Sequence, residues 1–424
     1  RDRSVSRGLG DVYKRQELYI ARRFLSGREK NAVSVPIIRI ALVGVALGVC
    51  IMLFSIFIIT GFKQEITNKL TGFSAHLNIG SYGNINSYAS DKIQPSDTLL
   101  EGVHALPEVK ELYVYVTKPA ILKSKQEIHG VVLHGVDSTF KGDFFIENLK
   151  EGEFPDFHTV SPSNEILLSS LVANYLNLQV GDKVTAHFVQ DPPRARVFRV
   201  KGIYDTGFNE YDGMFVLCDI RHLQRLNGWK EGEVSGIAVE LTNMDMLSSA
   251  EQKIDELIPW ENTDTFYKIT TIYDMMPQLF EWLDLLNTNV WVILILLVVV
   301  AGFNMVSGLL ILILDKTSLI GILKALGYRD LKLRKLFLYI SIGLIGKGML
   351  WGNGLAFAIA GIQKYWHVVS LDPANYYMDT VPIHFNIGYV ILLNLGVLFV
   401  STLMLIVPTM LISKIKPIKA IRFE

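Results

Sequence analysis

Four apolar stretches dominate the chain, at residues 40–62, 288–314, 336–362 and 385–413. Each is long enough to cross a bilayer core, which takes about 20 apolar residues as a helix. Three of them hold no charge, and the third is interrupted only by Lys347. A helix at the surface of a soluble domain keeps a polar face for solvent, and these segments have none to offer. The chain therefore reads as an α-helical membrane protein with four transmembrane helices.

Short-loop lysines and arginines set the orientation, because they stay on the cytoplasmic side. Arg22, Arg23, Arg28 and Lys30 precede the first span. Lys316, Lys324, Arg329, Lys332, Arg334 and Lys335 follow the second, and Lys414, Lys416, Lys419 and Arg422 follow the fourth. Beyond the third span only Lys364 is basic, whereas Tyr365, Trp366, Tyr376 and Tyr377 suit an aromatic belt at the opposite interface. Both termini are thus expected in the cytoplasm. Residues 63 to about 283 are expected outside it as one block of domain size.

That block alternates strand-like runs with helical ones. VKELYVYVTKPAIL (109–122), EIHGVVLHGV (127–136) and RARVFRVKGIY (194–204) have β character, and SSLVANYLNL (169–178) and MDMLSSAEQKIDELI (244–258) have helical spacing. The expectation is a large α+β domain of two lobes between the first and second helices. IYDMMPQLFEWLDLL (272–286) continues a helical pattern into the second span and reads as a stalk. Residues 17–28 place Leu18, Ala21, Phe24 and Leu25 on one face beside arginines, as in a helix lying on the inner membrane surface. Residues 1–16 are polar and aperiodic, read as a non-native tail, and are set aside.

Several kinds of chemistry are excluded. The formal charge is zero, with 41 basic and 41 acidic residues, so the field that a nucleic-acid partner requires is missing. Two cysteines, Cys50 and Cys218, make neither a disulfide framework nor a metal site. There is no GxxxxGK[ST] to hold ATP and no HExxH, and the nine histidines are scattered. Glu210 and Asp212 sit in a turn-like NEYDG, where capping a loop is the better reading than acid/base work. Gly44 and Gly48 on the first span, and Ala301, Gly302, Ser307 and Gly308 on the second, suit close helix packing. Lys347 would cost about 2.5–3.5 kcal/mol at mid-membrane unless it snorkels or finds a carbonyl. The structural reading outweighs a functional one for this lysine.

The most informative local segment is DKTSLIGILKALGY (315–328). Thr317 or Ser318 can cap a short helix and Gly327 can end it, with Leu319, Ile320, Ile322, Leu323 and Leu326 apolar around most of the circumference. Such a helix either docks in a groove of another protein or tucks under its own bundle, and the residues alone leave both readings open.

FNMVSGLLILILDKTSLIGILKALGYRDLKLRKLFLY (303–339) resembles the coupling region of the FtsX-like permeases, a group that includes MacB and the LolC/LolE lipoprotein-releasing permeases. IARRFLSGREK with VGVALGVCIMLFSIFIITGF (20–62) and KIKPIKAIRFE (414–424) are similar to that family's two ends. EILLSSLVANYLNLQVGDKV (165–184) and VKGIYDTGFNEYDGMFV (200–216) resemble its MacB-like periplasmic core domain. One departure is Leu319, where the family commonly has an acidic residue.

The resemblance implies the following layout: a cytoplasmic amphipathic helix at 17–34, spans at 35–62, 284–314, 336–362 and 385–413, a periplasmic α+β domain with stalk at 63–283, a cytoplasmic coupling loop at 315–335, a periplasmic loop at 363–384 and a cytoplasmic tail at 414–424. It implies a non-catalytic ABC transporter permease in the bacterial inner membrane, paired with a second permease and with a separate ATPase that brings ATP and magnesium. The contact with that ATPase would be Thr317, Ser318, Leu319, Ile320, Gly321, Ile322, Leu323, Lys324, Ala325, Leu326 and Gly327. Mechanotransmission would carry ATP-driven motion to the periplasmic side, where a lipoprotein cargo leaves the outer leaflet of the inner membrane. Phe54, Phe57 and Val298 are candidates for lining the cargo cavity. Gln190, Pro192, Pro193 and Arg194 occupy the place of the loop that engages a periplasmic lipoprotein carrier, although the segment is short and its prolines fit a stiffened hairpin better. A MacB-like exporter and an FtsX-like regulator of cell-wall hydrolases are the alternatives.

Overall fold

The computed structural model describes residues 19–21, 34–82, 91–125, 127–258, 266–372 and 376–415. The amphipathic segment before the first span and the terminal tail lie almost wholly outside these residues. Among the described residues four helices are long and apolar enough to cross a membrane, and the chain divides into two compact units. One comprises Arg1–Phe62, Leu283–Val369 and Val381–Glu424; the other comprises Lys63–Trp282 and Ser370–Thr380.

The membrane unit is built on close helix contact. A Cβ on Gly44 would meet the Asn304 side chain at 3.3 Å, and one on Gly308 would meet the Ala41 Cβ at 3.1 Å, so the small residues of the first and second spans face each other. Gly352 brings the third span against the first so closely that a Cβ there would lie 2.6 Å from the Ala46 carbonyl oxygen. Asn353 and Asn394 join the third and fourth spans by a reciprocal pair of amide hydrogen bonds, at 2.8 and 3.0 Å. Lys347 is exposed, between the buried Ile345 and Gly348.

The first helix does not stop where its apolar run ends: it continues from Ser34 to Ser74. The second span starts at Pro277 and runs to Asp315, preceded by a separate short helix, Ile272–Met275. The expected unbroken stalk is thus interrupted at Met276, whose backbone (φ −135°, ψ 58°) leaves the helical region. Pro277 is the cause, because its ring disfavours helical conformation in the preceding residue and it offers no N–H, so it starts a helix well and continues one badly.

The other unit is organised around one sheet of ten strands: β1 Leu77–Ser81, β2 Val109–Lys123, β3 Ile128–Val136, β4 Leu149–Gly152, β5 Glu165–Ser169, β6 Lys183–Phe188, β7 Arg194–Tyr204, β8 Phe215–Asp219, β9 Gly236–Leu241 and β10 Tyr267–Thr271. The order is β10-β1-β9-β2-β3-β8-β5-β7-β4, with β6 paired to both β2 and β7. β3 with β8 and β5 with β7 are parallel; the other pairs are antiparallel. Two separate lobes are not what forms. β2 is long enough to pair with β9 along its first half and with β3 and β6 further on, which keeps one hydrogen-bonded sheet continuous.

Helices cover this sheet with side chains placed by their caps. Ser169 accepts a hydrogen bond from the Val172 N–H at 3.1 Å and Asn177 closes the helix Ser170–Leu176 in a left-handed conformation, which turns Val172, Ala173 and Leu176 into the core. Asp219 caps Ile220–Asn227 and is held by Arg221, burying Leu223 and Leu226. Leu99, Val103, Ala250 and Ile254 from two further helices complete the same core.

The segment Ser370–Thr380, which joins the third and fourth spans in sequence, belongs to this second unit. Tyr377 packs edge-on to Phe208 at 5.0 Å, and its carbonyl accepts a hydrogen bond from the Lys69 ammonium at 3.0 Å. It is therefore not the free-standing loop that its position between two spans suggests.

Candidate functional site

The segment 315–328 folds as a short helix, Thr317–Ala325, in the turn between the second and third spans. Its end follows from the sequence: Gly327 takes a left-handed conformation (φ +86°), its N–H bonds the Lys324 carbonyl, and the Tyr328 N–H bonds the Leu323 carbonyl. Its start differs from expectation. Neither Thr317 nor Ser318 is the cap; Lys316 holds that position without a side-chain capping bond to the helix, and the Thr317 hydroxyl donates back to the Ile313 and Leu314 carbonyls at 3.1 and 2.7 Å. Since the preceding helix ends only at Asp315, its last carbonyls are still unpaired and compete successfully for that hydroxyl.

The helix has two different faces. Ile320 and Gly321 are buried, and Leu323 packs on the core of the membrane unit, with Leu319 half-buried beside them. Ser318, Ile322, Ala325 and Leu326 form the outer stripe; Ile322 is 46% and Leu326 77% exposed, and Gly327 follows them into solvent. Both readings of the segment hold at once, one face tucked under its own bundle and the other left apolar and uncovered.

Lys324 belongs to the inner face. Its side chain is only 9% exposed, and its ammonium donates to the carbonyls of Ile412 (2.8 Å), Ile415 (2.9 Å) and Ser413 (3.4 Å) and pairs with Asp330 at 3.0 Å. Arg334 adds bonds to the Ser413 hydroxyl. The sequence reading used Arg334 only to set the orientation and did not single out Asp330 or Ser413. The available signal was Lys324 itself, four residues after the buried Ile320 and so on the same face, where an ammonium requires acceptors.

The cavity candidates do not form one set. Phe57 is 0% exposed, with its ring 5.1 Å from Phe385 and 5.4 Å from Phe357, and so it is a core residue of the bundle rather than part of an open wall. Phe54 and Val298 are half-buried.

Gln190, Pro192, Pro193 and Arg194 lie at the tip of the β6–β7 hairpin, where Phe188 pairs with Arg194 and leaves only residues 189–193 as the loop. Beside it is a cleft of about 440 Å3 whose lining includes Lys118, Gln190, Asp191, Arg194 and Trp229. Lys118 donates to the Asn227 side-chain oxygen at 2.5 Å, and Arg194 to the Arg225 carbonyl at 3.3 Å.

Asp212 is buried, and burial pushes its carboxyl up to about 6. It accepts from the Thr206 amide at 3.1 Å and hydroxyl at 2.8 Å, which ties the turn 205–212 together, the capping role read from NEYDG. His134 is buried in β3 against Tyr115 and Phe215, and both of its ring nitrogens lack a hydrogen-bond partner among the described residues.

A family model described as the MacB-like periplasmic core domain matches residues 40–257, and a second, described as the FtsX-like permease C-terminal, matches residues 291–417. The chain is 27% identical over 431 residues to the lipoprotein-releasing system transmembrane protein LolC of Neisseria meningitidis serogroup B, covering 96% of this chain and 99% of that relative. It is 21% identical over 430 residues to the corresponding protein LolE of Haemophilus influenzae, covering 94% and 97%. The solved periplasmic region of MacB from Actinobacillus actinomycetemcomitans aligns with a TM-score of 0.35 at 16% identity, covering 48% of this chain and 92% of that one.

Proposed function

The chain belongs to the family built on the MacB-like periplasmic core domain, with an FtsX-like permease C-terminal region, and from that premise we propose that it is the permease subunit of a lipoprotein-releasing ABC transporter. The observation that carries the reading is the extent of the likeness: relatives with lipoprotein-releasing names run alongside this chain from end to end, through both units and all four spans.

In this proposal the cargo is a lipoprotein in the outer leaflet of the bacterial inner membrane. A second permease, identical or related, completes the membrane part, and a separate ATPase supplies ATP and magnesium. Both termini lie in the cytoplasm, on the side of the basic loops. The ATPase grips the outer stripe of the helix Thr317–Ala325, and Ile322 and Leu326 support this because burying what they still expose contributes about 1–2 kcal/mol each. Leu319 is half-buried beside the inner face and carries no charge, so this contact does not rely on an ion pair there. ATP-driven closure moves this helix, and the spans carry the displacement toward the ectodomain. The hairpin tip 189–193 occupies the place of the carrier loop, but its five residues fit a stiffened turn better, and no carrier contact is assigned to it.

Mild-detergent purification from the native membrane, followed by mass spectrometry of what stays bound, tests the reading. It expects an ATPase together with acylated lipoproteins. An ATPase with a cell-wall hydrolase or an export partner would replace the cargo assignment, and an intact preparation with no ATPase would overturn the transporter assignment.

A further inference from the structure

Lys324 has more acceptors around it than protons to give. An ammonium carries three, and here three carbonyls and one carboxylate lie within 3.4 Å of it. The carbonyls belong to Ile412, Ser413 and Ile415, at the close of the short helix Leu411–Lys414 that finishes the fourth span. The last carbonyls of a helix have no partner within it and carry the negative end of its dipole, so a cation is the most favourable group to place there. The carboxylate is that of Asp330, the first residue of the third-span helix, Asp330–Trp366. One buried side chain from the helix Thr317–Ala325 therefore holds the end of one span and the start of another.

We infer that Lys324 is a positioning residue that makes these three elements move together, so that displacement of the helix Thr317–Ala325 reaches the third and fourth spans directly and not only through the chain that follows Asp315. Covalent continuity alone would transmit force only to the second and third spans, the two that flank the helix in sequence. The fourth span is connected to it through this ammonium and through Arg334 on Ser413, which starts from the third-span helix rather than from Thr317–Ala325. Length alone does not explain a lysine here. A leucine on this inner face would pack as Ile320 does but would take the ammonium donor away from the Ile412, Ser413 and Ile415 carbonyls.

The inference rests on the reading of Thr317–Ala325 as the ATPase contact, and the test separates the two. Lys324→Met keeps the stem and removes the charge; Lys324→Arg keeps the charge; Asp330→Asn neutralises the one charged acceptor among the four. Each is made in the full chain and purified from the membrane with whatever ATPase it retains. Hydrogen exchange of the amides at 317–327 is measured alongside cargo released per ATP hydrolysed.

For Lys324→Met the expected result is ATPase retention within about twofold of wild type, with cargo released per ATP lowered about tenfold and faster exchange at 317–327. Lys324→Arg should restore part of both, and Asp330→Asn should show a smaller loss. Wild-type release per ATP with unchanged exchange in Lys324→Met would overturn the inference. If Lys324→Met does not accumulate, Lys324→Arg and Asp330→Asn decide by the same two readouts. A wild-type chain that retains no ATPase would refute the docking reading, and the exchange measurement would still judge the tie.

Discussion

His134 makes the stability of the ectodomain sensitive to acid, and the size of the effect can be worked out from its surroundings. It sits in β3 with its ring stacked 5.1 Å from Tyr115 and Phe215 edge-on at 6.1 Å, and among the described residues there is no acceptor for a second ring proton. Burial lowers its pKa from 6.5 to about 4. The native state therefore resists a proton that the unfolded chain takes up, so stability is lost as pH falls below 6.5 and the loss is complete below about 4. Between about pH 7 and about pH 5 this one group removes about 2 kcal/mol. His76 adds a loss of the same sign, since burial lowers it to about 4 and its Nδ1 accepts the Leu241 N–H at 3.2 Å. Asp212 acts in the opposite direction: raised to about 6 by burial, it strains the fold when charged and relieves it as pH falls through that value. His134→Phe removes the first contribution alone and preserves the aromatic contacts. Hydrogen exchange of the β3 amides in the full-length protein, compared at about pH 7 and about pH 5, should show wild type losing about 2 kcal/mol more protection than the variant. Equal losses in the two proteins would refute the reasoning.

Three further outcomes follow from contacts described above. Ile322→Asp puts a charge on the exposed stripe and should lower ATPase co-purification at least about tenfold while the protein still inserts; unchanged retention would place the ATPase contact elsewhere. Gly352→Ala forces a Cβ to 2.6 Å from the Ala46 carbonyl and should cost about 1–3 kcal/mol of stability by thermal denaturation in detergent. Gly354→Ala, which meets nothing within 4 Å, should leave that midpoint unchanged. Lys69→Met removes the bond to the Tyr377 carbonyl and should speed proteolytic cleavage within 370–380, read by mass spectrometry of the fragments.

Much of the architecture was legible because the deciding features are local. An apolar run without charge has few folded options outside a bilayer, and the strands at 109–123 and 194–204 declare themselves through β-branched and aromatic residues with their own turn signals. The end of the helix Thr317–Ala325 was legible for the same reason, through Gly327. What escaped depends on partners distant in the chain. Lys324 read as part of the ATPase contact, and its inward role escaped because the carbonyls it meets lie far along the sequence, at Ile412, Ser413 and Ile415. Phe57 read as a candidate lining of the cargo cavity, and only Phe357 and Phe385, distant in sequence, show it packed within the bundle. Thr317 had the right chemistry for a cap, and the competing carbonyls of the preceding helix drew its hydroxyl away. Pro277 was a visible punctuation mark, and the helical spacing on either side of it concealed the break.

Residues 370–380 impose an order on how this protein is made. The ectodomain is discontinuous in the gene: its main part ends at Trp282, and its last piece is encoded after the second and third spans. During synthesis the sheet can assemble before that piece exists, but Lys69 and Phe208 must wait for Tyr377. The ectodomain can be completed only once the third span has been threaded and the segment behind it released on the ectodomain's own side of the membrane. A chain halted before residue 370 therefore lacks the Tyr377 contacts to Lys69 and Phe208 whatever the rest of its sheet has done.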